Sequence, residues 1–359
     1  MHSRAVGQYG RMSEVTEGSA AAEHVNGNPA PPVRWAVVGP GRIAARVARD
    51  FVHVPGAELV AVASRSVDRA VTFAAEHGIP RAYGSYREVI DDGGVDVLYI
   101  ATPHPQHRAV ALAALCVGKA VLVEKSFTVT PAATREVAAV ARQTGTFAME
   151  GMWTRFQPAV RRMCGLIADG AIGGPRSVVA DLGVRQPIDP TDRYYDPAIG
   201  GGALFDLGVY PISFAQMLLG TPETISVTGS LAASGVDAEE AVQLGFVDGR
   251  SAALFSSLRC ATPGQARVFG TAGWIDVLPR FHHPQTIVLH RAGREPEPMT
   301  LPQTGGGYCH ELIEVTECLA AGHRESSIMP LADTVAVQDI MGTVLDRLSA
   351  KIQEGPETL

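Results

Sequence analysis

The stretch from Val33 to Phe51 restricts the fold more than any other part of the chain. An apolar run from Val33 to Gly39 is broken by Gly39-Pro40-Gly41. It resumes as Arg42, Ile43, Ala44, Ala45, Val47, Ala48 and Phe51 at helical spacing. A strand that turns on two glycines into a helix opens a parallel, doubly wound sheet. The alternation continues. Glu58 to Ala63 reads as a strand, and an alanine-rich helix follows from Val67 to His77, with Gly78 placed as its C-cap. Next come a strand at Val95 to Ala101, a helix from His107 to Val117 and a strand at Ala120 to Glu124. A helix from Pro131 to Thr144 and a strand at Thr146 to Met149 complete the series. Strands apolar on both faces and separated by helices predict a sheet covered on both sides.

The pattern changes after Gly151. A helix is expected over Gln157 to Asp169, and strand-like runs lie near 176–184, 224–233, 239–247, 250–258, 265–270 and 273–278. A helix from Ala203 to Leu219 interrupts them, and helices near 307–321 and 331–349 follow. The predicted class is therefore α/β. A Rossmann-type doubly wound sheet occupies 33–151, and an α+β domain with a large, mostly antiparallel sheet occupies 152–349. At 359 residues the chain is too long for one core and suits two. Residues 1–32, rich in Gly, Ser, Glu and Asn and ending Pro-Ala-Pro-Pro, read as a disordered tail, and 350–359 as a C-terminal tail.

Composition limits the partners. With 46% hydrophobic and 19% charged residues, the chain can fill two cores. A net charge of −7 without a Lys/Arg block argues against nucleic acid and against an anionic membrane surface. The five cysteines are widely spaced with no C-x-x-C pair, and the histidines are scattered, so neither a disulfide framework nor a metal site is expected. Cys116 and Cys318 have apolar helical neighbours and are expected as buried thiols. No apolar run is read as long enough to span a membrane, and no signal core stands at the N-terminus, so a cytoplasmic location is expected.

The turn Gly39-Pro40-Gly41-Arg42-Ile43-Ala44 follows the pattern G-x-G-x-x-A. Gly39 allows the tight turn and Gly41 lets a diphosphate approach the backbone. Ala44 lets helix and strand pack closely, while the N–H groups of Arg42 and Ile43 open a helix that attracts the anion. An NAD site usually ends its second strand with Asp or Glu. Here the strand ends Ala63-Ser64-Arg65-Ser66, with Arg69 one turn on. Ser64 can donate a hydrogen bond, and Arg65 can stack on adenine or pair with a 2′-phosphate, so NADP is expected, with NAD possible. A solvated arginine in a turn is the alternative reading of Arg65.

Two segments carry reactive groups. Lys125 follows the strand ending at Glu124, aimed at the crevice beyond the strand ends. Asp206 and Tyr210 stand four apart on the helix opened by Gly200-Gly201-Gly202 and share one face. Tyrosine and lysine have unperturbed pKa values of about 10 and about 10.4, and a nearby ammonium favours tyrosinate, so the pair suits proton transfer to a carbonyl. A capping aspartate and a half-buried core tyrosine are the plainer alternative.

Taken together, these motifs resemble the Gfo/Idh/MocA family, and within it the branch of dimeric dihydrodiol dehydrogenases and NADP-dependent D-xylose dehydrogenases. The resemblance runs from about Val33 to Arg347. It is carried by Gly39 to Ala44, Ala101-Thr102-Pro103-His104-Pro105-Gln106-His107, Glu124-Lys125, Met152-Trp153-Thr154-Arg155-Phe156, Gly200 to Tyr210, Gly307 to Glu311, and Met329-Pro330-Leu331. It implies a dehydrogenase or reductase that moves a hydride between NADP and a small sugar, polyol or diol. Lys125 and Tyr210 are the implied catalytic pair, with Asp206 beside them. Ala101, Thr102, His104, His107 and Glu124 are implied at the cofactor, Trp153 and Arg155 at the substrate. A homodimer or homotetramer through the C-terminal sheet is expected. An aldose–aldose oxidoreductase with a tightly held nucleotide, and a non-catalytic sensor of NADP or sugar, are the rival readings. Ser126 departs from the family, which usually has proline after Glu-Lys, often with a cis bond before it. Since a cis bond to a non-proline residue costs ~2.5–4 kcal/mol, a trans peptide is expected here.

Overall fold

A computed structural model describes residues 31–356, apart from 188, 190 and 191, together with residue 359. All but the last two residues of the expected N-terminal tail lie outside the described residues.

Six strands form the first sheet: β1 (Val33–Val38), β2 (Ala57–Ala63), β3 (Arg81–Tyr83), β4 (Val97–Ile100), β5 (Ala120–Glu124) and β6 (Ala148–Gly151). All pair in parallel, in the order β3-β2-β1-β4-β5-β6. The order reverses between β1 and β4, and a crevice opens beyond the carboxyl ends of those strands. Helices α1 (Arg42–Asp50), α2 (Val67–His77), α3 (Tyr86–Asp91), α4 (His107–Cys116) and α5 (Pro131–Thr144) connect them. Their ends follow local chemistry. Ser66 caps α2 and Thr130 caps α5 with side-chain oxygens, and Gly78 and Gly145 close the same helices at φ 66°. The sequence reading passes over β3 and α3, although Ser85 and Glu88 form a capping box at the start of α3.

The second sheet has eight strands: β7 (Pro175–Gly183), β8 (Thr224–Leu231), β9 (Asp237–Gly245), β10 (Ser251–Ser257), β11 (Ala266–Gly270), β12 (Gly273–Val277), β13 (Thr286–Arg291) and β14 (Glu297–Thr300). Their order is β14-β13-β12-β11-β7-β10-β9-β8, antiparallel except where β7 meets β10. The last two strands were not anticipated. Helices α6 (Pro158–Ala168), α7 (Val209–Leu219), α8 (Cys309–Ala320) and α9 (Leu331–Leu348) accompany the sheet. A π-helical turn, Leu204–Gly208, leads into α7.

Two expectations are corrected here. The stretch Pro197–Leu219 is long and apolar enough to cross a membrane by length and composition, but 89% of its apolar window is buried. It forms the core of the second domain, where apolar character on all sides is what full burial requires. Cys318 is buried as expected, but Cys116, the last residue of α4, is exposed.

The halves are tied together at several points. Asp50, buried at the end of α1, accepts hydrogen bonds from the backbone N–H groups of Gly306 (2.7 Å), Tyr308 (2.8 Å) and Cys309 (3.1 Å). This satisfies two of the free donors at the start of α8, those of Tyr308 and Cys309, and one in the loop before it. Helix α9 packs on both domains. Leu331 and Val335 join the core of the first. At Gly342 the helix passes so close to α5 that an added Cβ would meet Pro131 Cγ at 2.5 Å. Beyond α9 the chain returns to the first domain, where Thr130 Oγ1 donates to Glu354 Oε1 at 2.9 Å. Replacing Asp50 by Ala leaves three donors without their anion. It should cost roughly 2–4 kcal/mol of unfolding free energy, read from the denaturant midpoint. A loss under ~1 kcal/mol would show that the tie is dispensable.

Candidate active site

The crevice is a cleft of about 980 Å³ lined by both domains. Its first wall is the turn after β1. Gly39 holds φ 92°, and a Cβ there would sit 2.9 Å from both Ala101 O and Thr102 N at the end of β4, so only glycine fits. At Gly41 a Cβ would meet nothing within 4 Å, because the residue faces the open cleft. No side chain caps the N-terminus of α1, so the first-turn N–H groups, including those of Arg42 and Ile43, remain available to an anion. These residues fit a dinucleotide diphosphate.

Beyond the turn, Ser64 is buried at the end of β2 and its Oγ accepts from Ser66 N at 3.2 Å, leaving its own proton to donate. Arg65 and Arg69 are exposed at the rim, and Arg69 Nη2 donates to Pro40 O at 3.2 Å. Tyr86 lines this end beside Arg65, and Arg46 lines the cleft beside Tyr308. The sequence reading missed both, since neither belongs to a motif.

The opposite end holds the reactive groups. Lys125 Nζ donates to Asp206 O at 2.9 Å, lies 3.7 Å from Asp206 Oδ1, and sits 5.0 Å from the Tyr210 ring centre. Asp206 Oδ1 also takes Arg193 Nη2 at 2.9 Å. Burial pushes the Lys125 ammonium below its ordinary pKa, and Asp206 and Glu124 oppose that shift. Burial pushes the Asp206 carboxyl up, but Lys125 and Arg193 outweigh it and the net shift is downward. Tyr210 is held well above the ordinary tyrosine value, first by burial and then by the Glu124 charge. The net shift runs opposite to the expected lowering, because burial and the Glu124 charge dominate, and Tyr210 keeps its proton.

Glu124 lies beneath this end. Its Oε1 accepts from Tyr99 OH at 2.5 Å and its Oε2 from Lys125 N at 3.1 Å. His104 packs between Gly200 O (3.1 Å) and Lys125 O (3.2 Å), so its N–H donates to a carbonyl whichever nitrogen bears it. His107 borders the cleft and is fully buried. Its Nε2 lies 2.8 Å from Thr102 O, its Nδ1 is near Ser126 O and Phe127 O, and burial lowers its pKa to about 3. It is a neutral brace. The Lys125–Ser126 peptide is cis, against the trans expectation. The surrounding frame holds it. Ser126 is fully buried, its hydroxyl donates to Phe205 O at 3.2 Å, and the carbonyls on both sides of the bond face His104 and His107.

Trp153 lines the cleft and stacks on Tyr308 at 4.4 Å between ring centres with 6° between planes. Arg155 does not line it. Its side chain is 2% exposed and its guanidinium is bound by Ser213, Gln216 and Asp333 of the second domain. A short helical turn, Trp153–Phe156, sends the two side chains in different directions. The reading also missed Arg193, Tyr194, Arg280, His282 and His283, which reach the cleft from irregular segments.

Known proteins share this architecture. Residues 33–152 match the model of an oxidoreductase family with an NAD-binding Rossmann fold, and residues 160–276 match the GFO/IDH/MocA C-terminal domain. The trans-1,2-dihydrobenzene-1,2-diol dehydrogenase of Sus scrofa is 38% identical over 325 residues, covering 87% of this chain and 96% of that protein. The chain belongs to the Gfo/Idh/MocA family of oxidoreductases. The human dehydrogenase of the same name is 36% identical, with the same 87% and 96% coverage. Among solved structures, an aldose–aldose oxidoreductase from Caulobacter crescentus complexed with glycerol superposes with a TM-score of 0.80. It is 27% identical and covers 89% of this chain and 98% of its own. A 3-ketoreductase from Actinomadura kijaniata, in complex with NADP and TDP-benzene, gives 0.77 at 26% identity, with 88% and 97% coverage. This member of the family thus carries an NAD(P)-binding domain and the fold of a dehydrogenase.

The two glycines of the turn separate stability from binding. Gly39→Ala should lower the thermal midpoint by several degrees, since it combines a positive φ with a backbone clash worth more than ~1 kcal/mol. Gly41→Ala should leave the midpoint unchanged yet weaken NAD(P) binding by about tenfold or more, as titrated by fluorescence. Equal stability losses in both would contradict this division.

Proposed function

We propose that the protein is an NADP-dependent oxidoreductase acting on the CH–OH or C=O group of a small sugar, polyol or diol. The single observation that carries this reading is Lys125 beside Tyr210 where the two domains meet, 5.0 Å from amine to ring centre. When bound, the nicotinamide supplies or accepts the hydride. The protein's residues handle the proton and the oxygen. Tyr210, protonated across the neutral range, gives its phenolic proton to the carbonyl oxygen in reduction and takes it back in oxidation. Lys125 holds that oxygen and stabilises the charge developing on it. Asp206, fixed by Lys125 and Arg193, orients the amine and offers its carboxylate to a neighbouring hydroxyl. Trp153 and Tyr308 form an aromatic wall that excludes water.

The preference for NADP is supported by Ser64 in place of a carboxylate at the end of β2, with Arg65 and Arg69 at the rim. Self-association belongs to the same proposal. Val179 on β7 and Trp274 on β12 stand 46% and 37% exposed on the outer face of the second sheet. Light scattering should report a homodimer or homotetramer. The likeness to the aldose–aldose oxidoreductase supports a second reading, in which the nucleotide stays bound between half-reactions. Absorbance near 340 nm (the reduced cofactor) that survives desalting and bleaches on adding an aldose would favour it.

Lys125→Met should cut turnover roughly a thousandfold with little change in NADP affinity. Tyr210→Phe should cost roughly a hundredfold, and wild-type carbonyl reduction should hold level through neutral pH and fall on the alkaline side as the Lys125 ammonium is lost. Wild-type rates in either variant would sink the assignment. Arg65→Ala should weaken NADP by about tenfold or more while leaving NAD within about twofold, and equal losses would remove the 2′-phosphate role.

A further inference from the structure

The segment between β12 and β13 enters the cleft with Arg280, His282 and His283. His282 is the unusual one. It is only 8% exposed, and its Nδ1 is enclosed without a hydrogen-bond partner. Its backbone is fixed, because its carbonyl accepts the Thr154 hydroxyl at 2.7 Å. Its ring lies 5.0 Å from the Tyr210 ring and 4.5 Å from that of His283, nearly perpendicular to the latter. Burial above all, and then the neighbouring His283, Arg280 and Lys125, favour its neutral form. A neutral imidazole carries one donor and one acceptor, and leaving the enclosed Nδ1 without a partner is costly. A hydroxyl, itself donor and acceptor, satisfies such a group.

The polar groups of the cleft exceed what a simple diol uses. One substrate oxygen belongs to Lys125 and Tyr210, and a second suits Asp206. Arg280, which has no ion-pair partner among the described residues, remains, together with His282 and His283. An aryl diol has no hydroxyl left for them. We infer that His282 is a specificity-determining residue that binds a hydroxyl, other than the reacting one, of a polyhydroxylated substrate such as an aldose or cyclitol. This rests on the proposed hydride transfer only in sharing its cleft.

The test uses the full-length protein with NADP+ present. Binding of D-xylose and myo-inositol is titrated by intrinsic fluorescence and calorimetry in wild type, His282→Phe and His282→Asn. Steady-state kinetics compare an aldose with an aryl 1,2-dicarbonyl. His282→Phe should weaken polyol binding and raise the aldose KM by about tenfold or more, with kcat within about threefold. NADP+ affinity and the KM for the aryl dicarbonyl should move by less than about twofold. His282→Asn, which keeps a donor and an acceptor, should recover most of the loss. Thermal midpoints verify folding, and His282→Leu replaces the Phe variant if the larger ring does not fold. Equal losses on both substrate classes, unchanged polyol binding, or a wild type that binds no polyol would each overturn the inference. A wild type that binds polyols but transfers no hydride would defeat the redox reading and leave the His282 result standing on the binding data.

Discussion

Lys125 sits at the C-terminal end of a strand of one domain, and its amine is held by the other. Its Nζ lies within 3.7 Å of Asp206 Oδ1 and 2.9 Å of Asp206 O, on the π-helical turn that opens α7. Burial opposes a charged amine, and the aspartate opposes burial. The surrounding parts serve this balance. His104 and His107 hold the backbone around Lys125 and Ser126, and Arg193 shares the Asp206 carboxylate from the solvent side. From below, Asp237 Oδ2 accepts the Leu204 N–H at 2.6 Å and supports the turn. The relative placement of Lys125 and Tyr210 therefore depends on contacts between domains, not on either domain alone.

That dependence explains which parts of the site could be read from the sequence. The turn at Gly39 to Ala44 is local, and its chemistry follows from spacing and from the strand and helix on either side. Lys125, Asp206 and Tyr210 were found by motif, and the structure brings the three together. Arg155 was misplaced because adjacency to Trp153 in sequence carries no information about direction through a tight helical turn. Its partners, Ser213 and Asp333, lie 58 and 178 residues away. The cis peptide at Ser126 was missed for a similar reason, since its frame comes from His104, His107 and Phe205. The direction of the Tyr210 shift was misjudged by treating Lys125 and Tyr210 in isolation, without the burial and the Glu124 charge that raise it.

The fold was legible to the extent that its elements are periodic. Helices α2 and α5 and strand β5 match the sequence reading residue for residue, because caps and apolar runs mark both ends. Strand β13, an apolar Thr286–Arg291 run, had a signal of its own that was passed over, whereas β14, Glu297–Thr300, is short, largely exposed and without alternation. The substrate side of the cleft was least legible. Arg280, His282 and His283 stand on a connection between strands, where no period exists to say which side chain turns inward.

Helix α9 has one more consequence. It is the last long element of the chain, yet Leu331 and Val335 complete the core of the first domain, and Gly342 fits against the start of α5. During synthesis, the nucleotide-binding half emerges from the ribosome well before the helix that covers one flank of it. Its apolar flank must wait for nearly the whole chain. The flank of the first domain that α9 covers is thus made after the sheet of the second.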